Sequence, residues 1–158
     1  MIVTTVMCSS LVEADVVYST FAPGDVFNLS GGAAINNGQW VANQFTVTGN
    51  DYQFDQLEIA GGCIANIGAN EFDLSIRADN AGLPGTIMES FTVSLPVSFA
   101  DKLSVNSTTH PLLQDGSSYW VVLGSSTNAY GWWSQNGDIQ GIIAINADGG
   151  SSFTANEG

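Results

Sequence analysis

The chain has 158 residues and a formal charge of −13, with 15 acids set against only Arg77 and Lys102. That is enough length for one domain with a real core, and the charge balance excludes binding nucleic acid or an anionic membrane by counterion release. Charged residues are only 11% while hydrophobic residues reach 44% and aromatics 10%, so the chain is not disordered and its surface must consist of Ser, Thr, Asn and Gly, which suits an exported protein.

The first segment, Ile2 to Leu11, is mildly apolar, and Val12-Glu13-Ala14 fits the small residues of a secretory cleavage site. The basic start of an ordinary signal peptide is missing, because no Lys or Arg precedes Arg77. We read 1–14 as a signal-peptide remnant, against the alternative of an irregular first strand, and 15–158 as a single β-sandwich domain. Cys8 lacks the small preceding residue of a lipoprotein site. Cleavage after Ala14 leaves 14 acids with two bases, a charge of −12, and leaves Cys63 alone. No disulfide framework is then available. Cys63 lies in the apolar, Gly-rich run Ile59–Ala65, which reads as a buried small hydrophobe or, alternatively, an intermolecular disulfide.

Nine strands follow in order: 16–21, 39–48, 52–60, 70–79, 86–93, 98–105, 117–124, 128–133 and 139–146. Gly, Asn, Asp and Pro cluster between them. Gly24 to Gly38 is the longest loop. The clearest alternation runs along 71–78: Phe72, Leu74, Ile76 and Ala78 point inward, Glu71, Asp73, Ser75 and Arg77 outward. It stops at the dense turn signal Asp79-Asn80-Ala81-Gly82-Leu83-Pro84-Gly85, and a second strand begins at Thr86, which makes a β-hairpin. No segment keeps a helical period over three turns, and no apolar run is long enough for a transmembrane helix. The fold class is all-β: a two-sheet antiparallel β-sandwich, jelly-roll-like.

Four pieces carry a family resemblance: Val17-Tyr18-Ser19-Thr20-Phe21-Ala22-Pro23-Gly24-Asp25, Trp40-Val41-Ala42-Asn43-Gln44-Phe45-Thr46, Asp79 to Thr86 with Met88-Glu89-Ser90-Phe91, and Gly116-Ser117-Ser118-Tyr119-Trp120-Val121-Val122-Leu123. In order and spacing they resemble the choice-of-anchor domains of the R type, over about residues 16–150. The resemblance implies a bacterial exported β-sandwich, usually followed by a Pro-Glu-Pro sorting signal, an apolar helix and a basic tail. It implies location and architecture rather than an activity. Here Ala155-Asn156-Glu157-Gly158 carries none of that signal. Relatives also continue with a further strand, so a missing last strand and an open sheet edge are expected.

Chemistry is sparse. Glu71 and Asp73 share one face of a strand about 6.6 Å apart, in partial resemblance to the Glu-x-Asp-x-Glu strand of laminarinase-type glycosidases. Ser75 stands where the acid would be, so the pair reads as a solvated polar face, with Arg77 available to pair with Asp73. His110 is the sole histidine and belongs to a loop, which leaves no zinc site. Asp79 and Asn80 could contribute to a calcium site, although Asp-Asn-Ala-Gly is also ordinary turn chemistry. No nucleophile elbow or phosphate-binding loop is present. Tyr130, Trp132 and Trp133 form a compact aromatic cluster. Adjacent Trp residues on a strand face opposite ways, so one belongs to the core and the other can offer a ring to a sugar, unless both pack. Trp40 and Trp120 read as core.

The functional expectation is a non-catalytic exported surface or extracellular-matrix module that interacts with carbohydrate. The alternatives are a structural subunit that self-associates through an open sheet edge and a glycosidase using Glu71. The charge imbalance generates a direct expectation. Added sodium chloride raises the melting temperature modestly by screening carboxylate repulsion. A thermal scan at equal ionic strength separates this from calcium: a rise specific to calcium marks a site near Asp79, and no response to either salt contradicts both ideas.

Overall fold

The computed structural model describes residues 16–19, 21, 24, 26–27, 32–36, 38–63, 70–97, 100–127, 129–134, 143–146, 148 and 152–156. The segment 1–14 with Cys8, the link 64–69 and the first part of the strand expected at 139–146 lie outside them. The described chain carries twelve strands: β1 Ala33–Ile35, β2 Trp40–Thr46, β3 Tyr52–Gln53, β4 Gln56–Cys63, β5 Phe72–Asn80, β6 Leu83–Val93, β7 Asp101–Asn106, β8 Leu112–Leu113, β9 Ser118–Gly124, β10 Gly131–Ser134, β11 Ile143–Asn146 and β12 Thr154–Asn156. No helix among the described residues is long and apolar enough to cross a membrane.

One sheet runs β1-β10-β4-β7, the other β12-β11-β2-β9-β5-β6, and β3 and β8 form a two-stranded ribbon. The pairs are nested: β5 with β6, β4 with β7, β3 with β8, β2 with β9 and β1 with β10, all antiparallel. A single long hairpin has been wound so that, apart from the β3–β8 ribbon, its pairs fall alternately into two sheets, which is a jelly roll. The tip of that hairpin is two residues, Ala81 and Gly82, with φ of 54° and 83°. Positive φ at both turn positions matches the right-handed twist of the flanking strands. The turn is thus tighter than the sequence suggested: Leu83, Pro84 and Gly85 belong to β6.

The core lies between the sheets. Phe72, Leu74 and Ile76 of β5 face Ile35, Ile59, Cys63 and Trp133 of the other sheet, with Val41, Phe45, Tyr119, Val121 and Leu123 beside them. The inward residues of β5 are those its alternation assigned. Cys63 fills this core as a small hydrophobe: its thiol donates to Leu95 O at 3.4 Å, and burial pushes its pKa up.

Four further features differ from the sequence reading. The stretch 52–60 is broken at Phe54-Asp55, where Phe54 N bonds Pro111 O and Asp55 O accepts from Ser107 N, so the chain turns a corner between ribbon and sheet. The Gly-rich segment expected to be loop contains β1, and residues 16–19 form no strand. There Tyr18 stacks on Phe45 at 5.4 Å and donates to Asn43 Oδ1 at 2.6 Å. Near the end of the chain, Thr154–Asn156 pairs with β11, so a short strand occupies an edge expected to be open. The opposite edge, β6, bears Pro84, two register shifts against β5 and the inward carboxylate of Glu89, all of which oppose strand addition.

Glu89 also ties the two sheets together. It is 7% exposed and accepts from Ser107 Oγ (2.5 Å), Thr108 N (2.7 Å), Thr108 Oγ1 (2.9 Å) and Thr109 N (3.2 Å) in the loop after β7. Burial raises its pKa, yet these four donors outweigh burial and hold it at about 2. Because the folded value lies below the ordinary 4.5, the stabilisation is complete above that pH and drains as pH falls towards 2, by about 3 kcal/mol in all. Urea unfolding of Glu89→Gln is expected to show a stability loss of about 2–3 kcal/mol at neutral pH. The variant should also lose most of the fall in stability between pH 5 and 2. An unchanged acid limb in the variant would contradict this account.

Candidate functional site

The two sheets present outer faces of different character. On the four-stranded sheet, β10 places Trp133 inward, 3% exposed and packed in the core. This removes Trp133 from the expected sugar-binding cluster, since strand alternation can expose only one of the two neighbours. Trp132 takes the outer face, half-buried, between Ala34 of β1 and Gly62 of β4 in register. Gly62 has no side chain and Ala34 a small one, so the indole stands over a shallow floor. Tyr130 precedes β10 and is half-buried.

Two buried donors on this face have no acceptor. Trp132 Nε1 and Ser134 Oγ are both unpartnered, and their i, i+2 spacing puts them on the same side of β10. An unsatisfied buried polar group costs about 1–3 kcal/mol. Ser134 is 0% exposed, so these donors lie beneath the surface, and the half-buried indole of Trp132 is what meets solvent. Next to them, Ala60 aligns with Lys102, and Lys102 Nζ meets Glu58 Oε2 at 3.2 Å.

The outer face of the six-stranded sheet is not the polar face that β5 suggested. Ala42, Trp120, Val122, Ala144 and Phe153 form a second apolar cluster there, with Trp40 and Leu83 packed against it. The expectation that Ser75 points into solvent is corrected accordingly. It does occupy the outer face, aligned with Val122, but it is 4% exposed and accepts from Arg77 Nε at 3.1 Å. Trp40 and Trp120 likewise pack on this outer face and not between the sheets. Trp40 depends on Gly124, where a Cβ would lie 2.0 Å from Trp40 Cδ2, so any side chain there would displace the indole.

Asp79 is fully engaged. Its Oδ1 accepts from Trp120 Nε1 at 2.7 Å and Gln44 Nε2 at 2.8 Å, and its Oδ2 from Gly82 N at 2.9 Å. Burial raises its pKa, but the three N–H donors prevail and hold it below the ordinary carboxylate value. The carboxylate considered for calcium thus clips the hairpin tip to β2 and β9, while Asn80 beside it is exposed. Among the described residues no group of three or more His, Cys, Asp or Glu could hold a metal ion.

The expected Arg77–Asp73 pair does not form. Asp73 Oδ2 accepts from Ser126 N at 2.8 Å, and Arg77 lies between two rings, its Cζ 5.9 Å from the Trp40 centroid and 5.7 Å from that of Phe153. Glu71 is exposed and lies just outside β5, while its carbonyl accepts from Thr127 Oγ1 at 3.3 Å. His110 is exposed, at φ 47°, with Nδ1 2.8 Å from Asp55 Oδ1. Sequence reasoning missed Arg77 and Phe153 as neighbours. The only available signal was a lone Arg in a cation-poor chain.

Compared with protein-family models, curated proteins and solved structures, the chain matches none. Its functional reading therefore rests on its own sequence and geometry.

Asp79→Ala leaves the fully buried Trp120 with an unpaired indole N–H and frees the hairpin tip. A loss of about 1–3 kcal/mol in urea unfolding is expected, equal in calcium and in chelator. A wild-type advantage that grows with calcium would assign Asp79 to a metal instead.

Proposed function

We propose that this protein is a non-catalytic, exported surface or extracellular-matrix module that binds neutral carbohydrate on the outer face of its four-stranded sheet. The observation that carries the reading is Trp132: the member of the Trp132-Trp133 pair that takes the outer face, half-buried over Gly62 and Ala34. A sugar ring offers C–H surface to the exposed part of such an indole. Neutral ligands fit a chain of charge −13, which repels polyanions at a distance. The four sequence pieces that resemble choice-of-anchor domains support export. Lysine and arginine scarcity and a Ser/Thr/Asn-rich surface agree with that location. Ser75 stands where a glycosidase of the Glu-x-Asp-x-Glu kind needs its acid, which favours binding over hydrolysis.

Affinity electrophoresis through gels containing neutral polysaccharides, guided by a glycan array, tests this directly. Retardation of the wild-type protein should be lost or fall at least tenfold in Trp132→Ala, with the melting temperature within a few degrees of wild type. Equal retardation of the variant, or no neutral glycan retained on the array, would overturn the reading.

A further inference from the structure

The second outer face holds a charge that the protein itself does not answer. Arg77 is the sole arginine of the chain. It is half-buried on the outer face of β5, and burial pushes its pKa below the usual arginine value. With 15 acids available, a carboxylate partner would be easy to supply, yet among the described residues Arg77 makes no ion pair. The two acids that share its face of β5 are turned to other donors. Asp73 serves Ser126 N, and Asp79 serves Trp120, Gln44 and Gly82. The one hydrogen bond Arg77 makes is from Nε to the neutral Ser75 Oγ.

The rings around it fix its geometry. Trp40 and Phe153 attract the guanidinium through their π faces and hold it at 5.9 and 5.7 Å from their centroids. Phe153 is buried and Trp40 is locked over Gly124, so neither ring is free to swing away. Nε is spent on Ser75, which leaves the two terminal nitrogens as an in-plane fork without an acceptor. That fork matches both oxygens of one carboxylate. A second donor in the same patch, Trp40 Nε1, is buried and also lacks an acceptor. With that indole locked over Gly124, the guanidinium fork is the donor a ligand meets from solvent. The net charge limits its size: a polyanion would meet the long-range repulsion of the whole chain, whereas one small monoanion at a desolvated arginine is much less affected.

We propose that Arg77, framed by Trp40 and Phe153 on the outer face of the six-stranded sheet, is a binding site for the carboxylate of a small monoanionic ligand, a sugar acid or a simple organic acid. The site stands apart from Trp132 and rests on different residues and a different sheet.

Because there is one arginine, its Nε–H gives a single, unambiguous signal in ¹⁵N-correlated NMR. Full-length protein is titrated with sodium glucuronate, sodium acetate and glucose at constant ionic strength. Glucuronate should move the Arg77 Nε–H signal and one indole N–H signal saturably, and glucose should move neither. Arg77→Lys, which keeps the charge but loses the fork, should weaken glucuronate at least tenfold as read from the indole signal. Trp132→Ala should leave this binding intact, so that failure of the neutral-sugar reading and failure of this one are distinguishable. Acetate equal to glucuronate would retain the carboxylate site and assign it to simple organic acids, and acetate clearly weaker assigns it to the sugar acid. No saturable shift with either anion, an equal response to glucose, or undiminished binding in Arg77→Lys would overturn the proposal.

Discussion

Everything in this fold is registered from the two-residue turn Ala81-Gly82. The strand pairs are nested about it, so the alignment of β5 with β6 propagates to every pair further out. A slip of one residue at the tip would send Phe72, Leu74 and Ile76 to the wrong face. The turn is fixed by two left-handed residues and by Asp79, which bonds the Gly82 amide with one oxygen and β2 and β9 side chains with the other. Local turn chemistry and tertiary placement are therefore joined in a single carboxylate.

The same economy governs the other acids. A chain with two cations cannot neutralise its carboxylates by ion pairs. The described acids turn instead to N–H and hydroxyl donors: Glu89 to the Ser107–Thr109 loop, Asp73 to Ser126 N, Asp115 to Gly49 N and Asp51 to Asp115 N. At Glu89 and Asp79, where several donors converge, hydrogen bonds to the charged form keep the carboxylate pKa below its ordinary value without any lysine. The acidity that looked in the sequence like unrelieved repulsion is partly structural, and it fastens loops to sheets.

The layout of the interior was legible. Alternation over 71–78 assigned the inward residues of β5 correctly, and turn-forming residues marked most strand boundaries to within a few positions. What escaped were features that alternation cannot carry. Ser75 and Arg77 look solvated because their types are polar, but Trp40, Trp120 and Phe153 cover that side from three other segments of the chain. Glu89 looks exposed by type, and only the return of the loop after β7 gives it donors. β1 and β12 are three residues each, too short for a period to register against Gly and Ser. At the candidate site the aromatic cluster was visible, and the choice between Trp132 and Trp133 was not. That choice follows from the pairing of β10 with β1 and β4, which lie far away in sequence.

Nested pairing also orders the search for the native state. Ala33 of β1 meets Trp133 of β10 across the greatest sequence separation among the nested pairs. Closing so long a loop in one step would carry a large entropic penalty. Once the tip has closed, each further pair needs only the short segment up to the next, so the penalty is divided into small increments that zip outward from Ala81-Gly82. A topology rich in distant contacts, and slow to form by contact order alone, thus contains a local starting point at the position where the turn is most strongly specified.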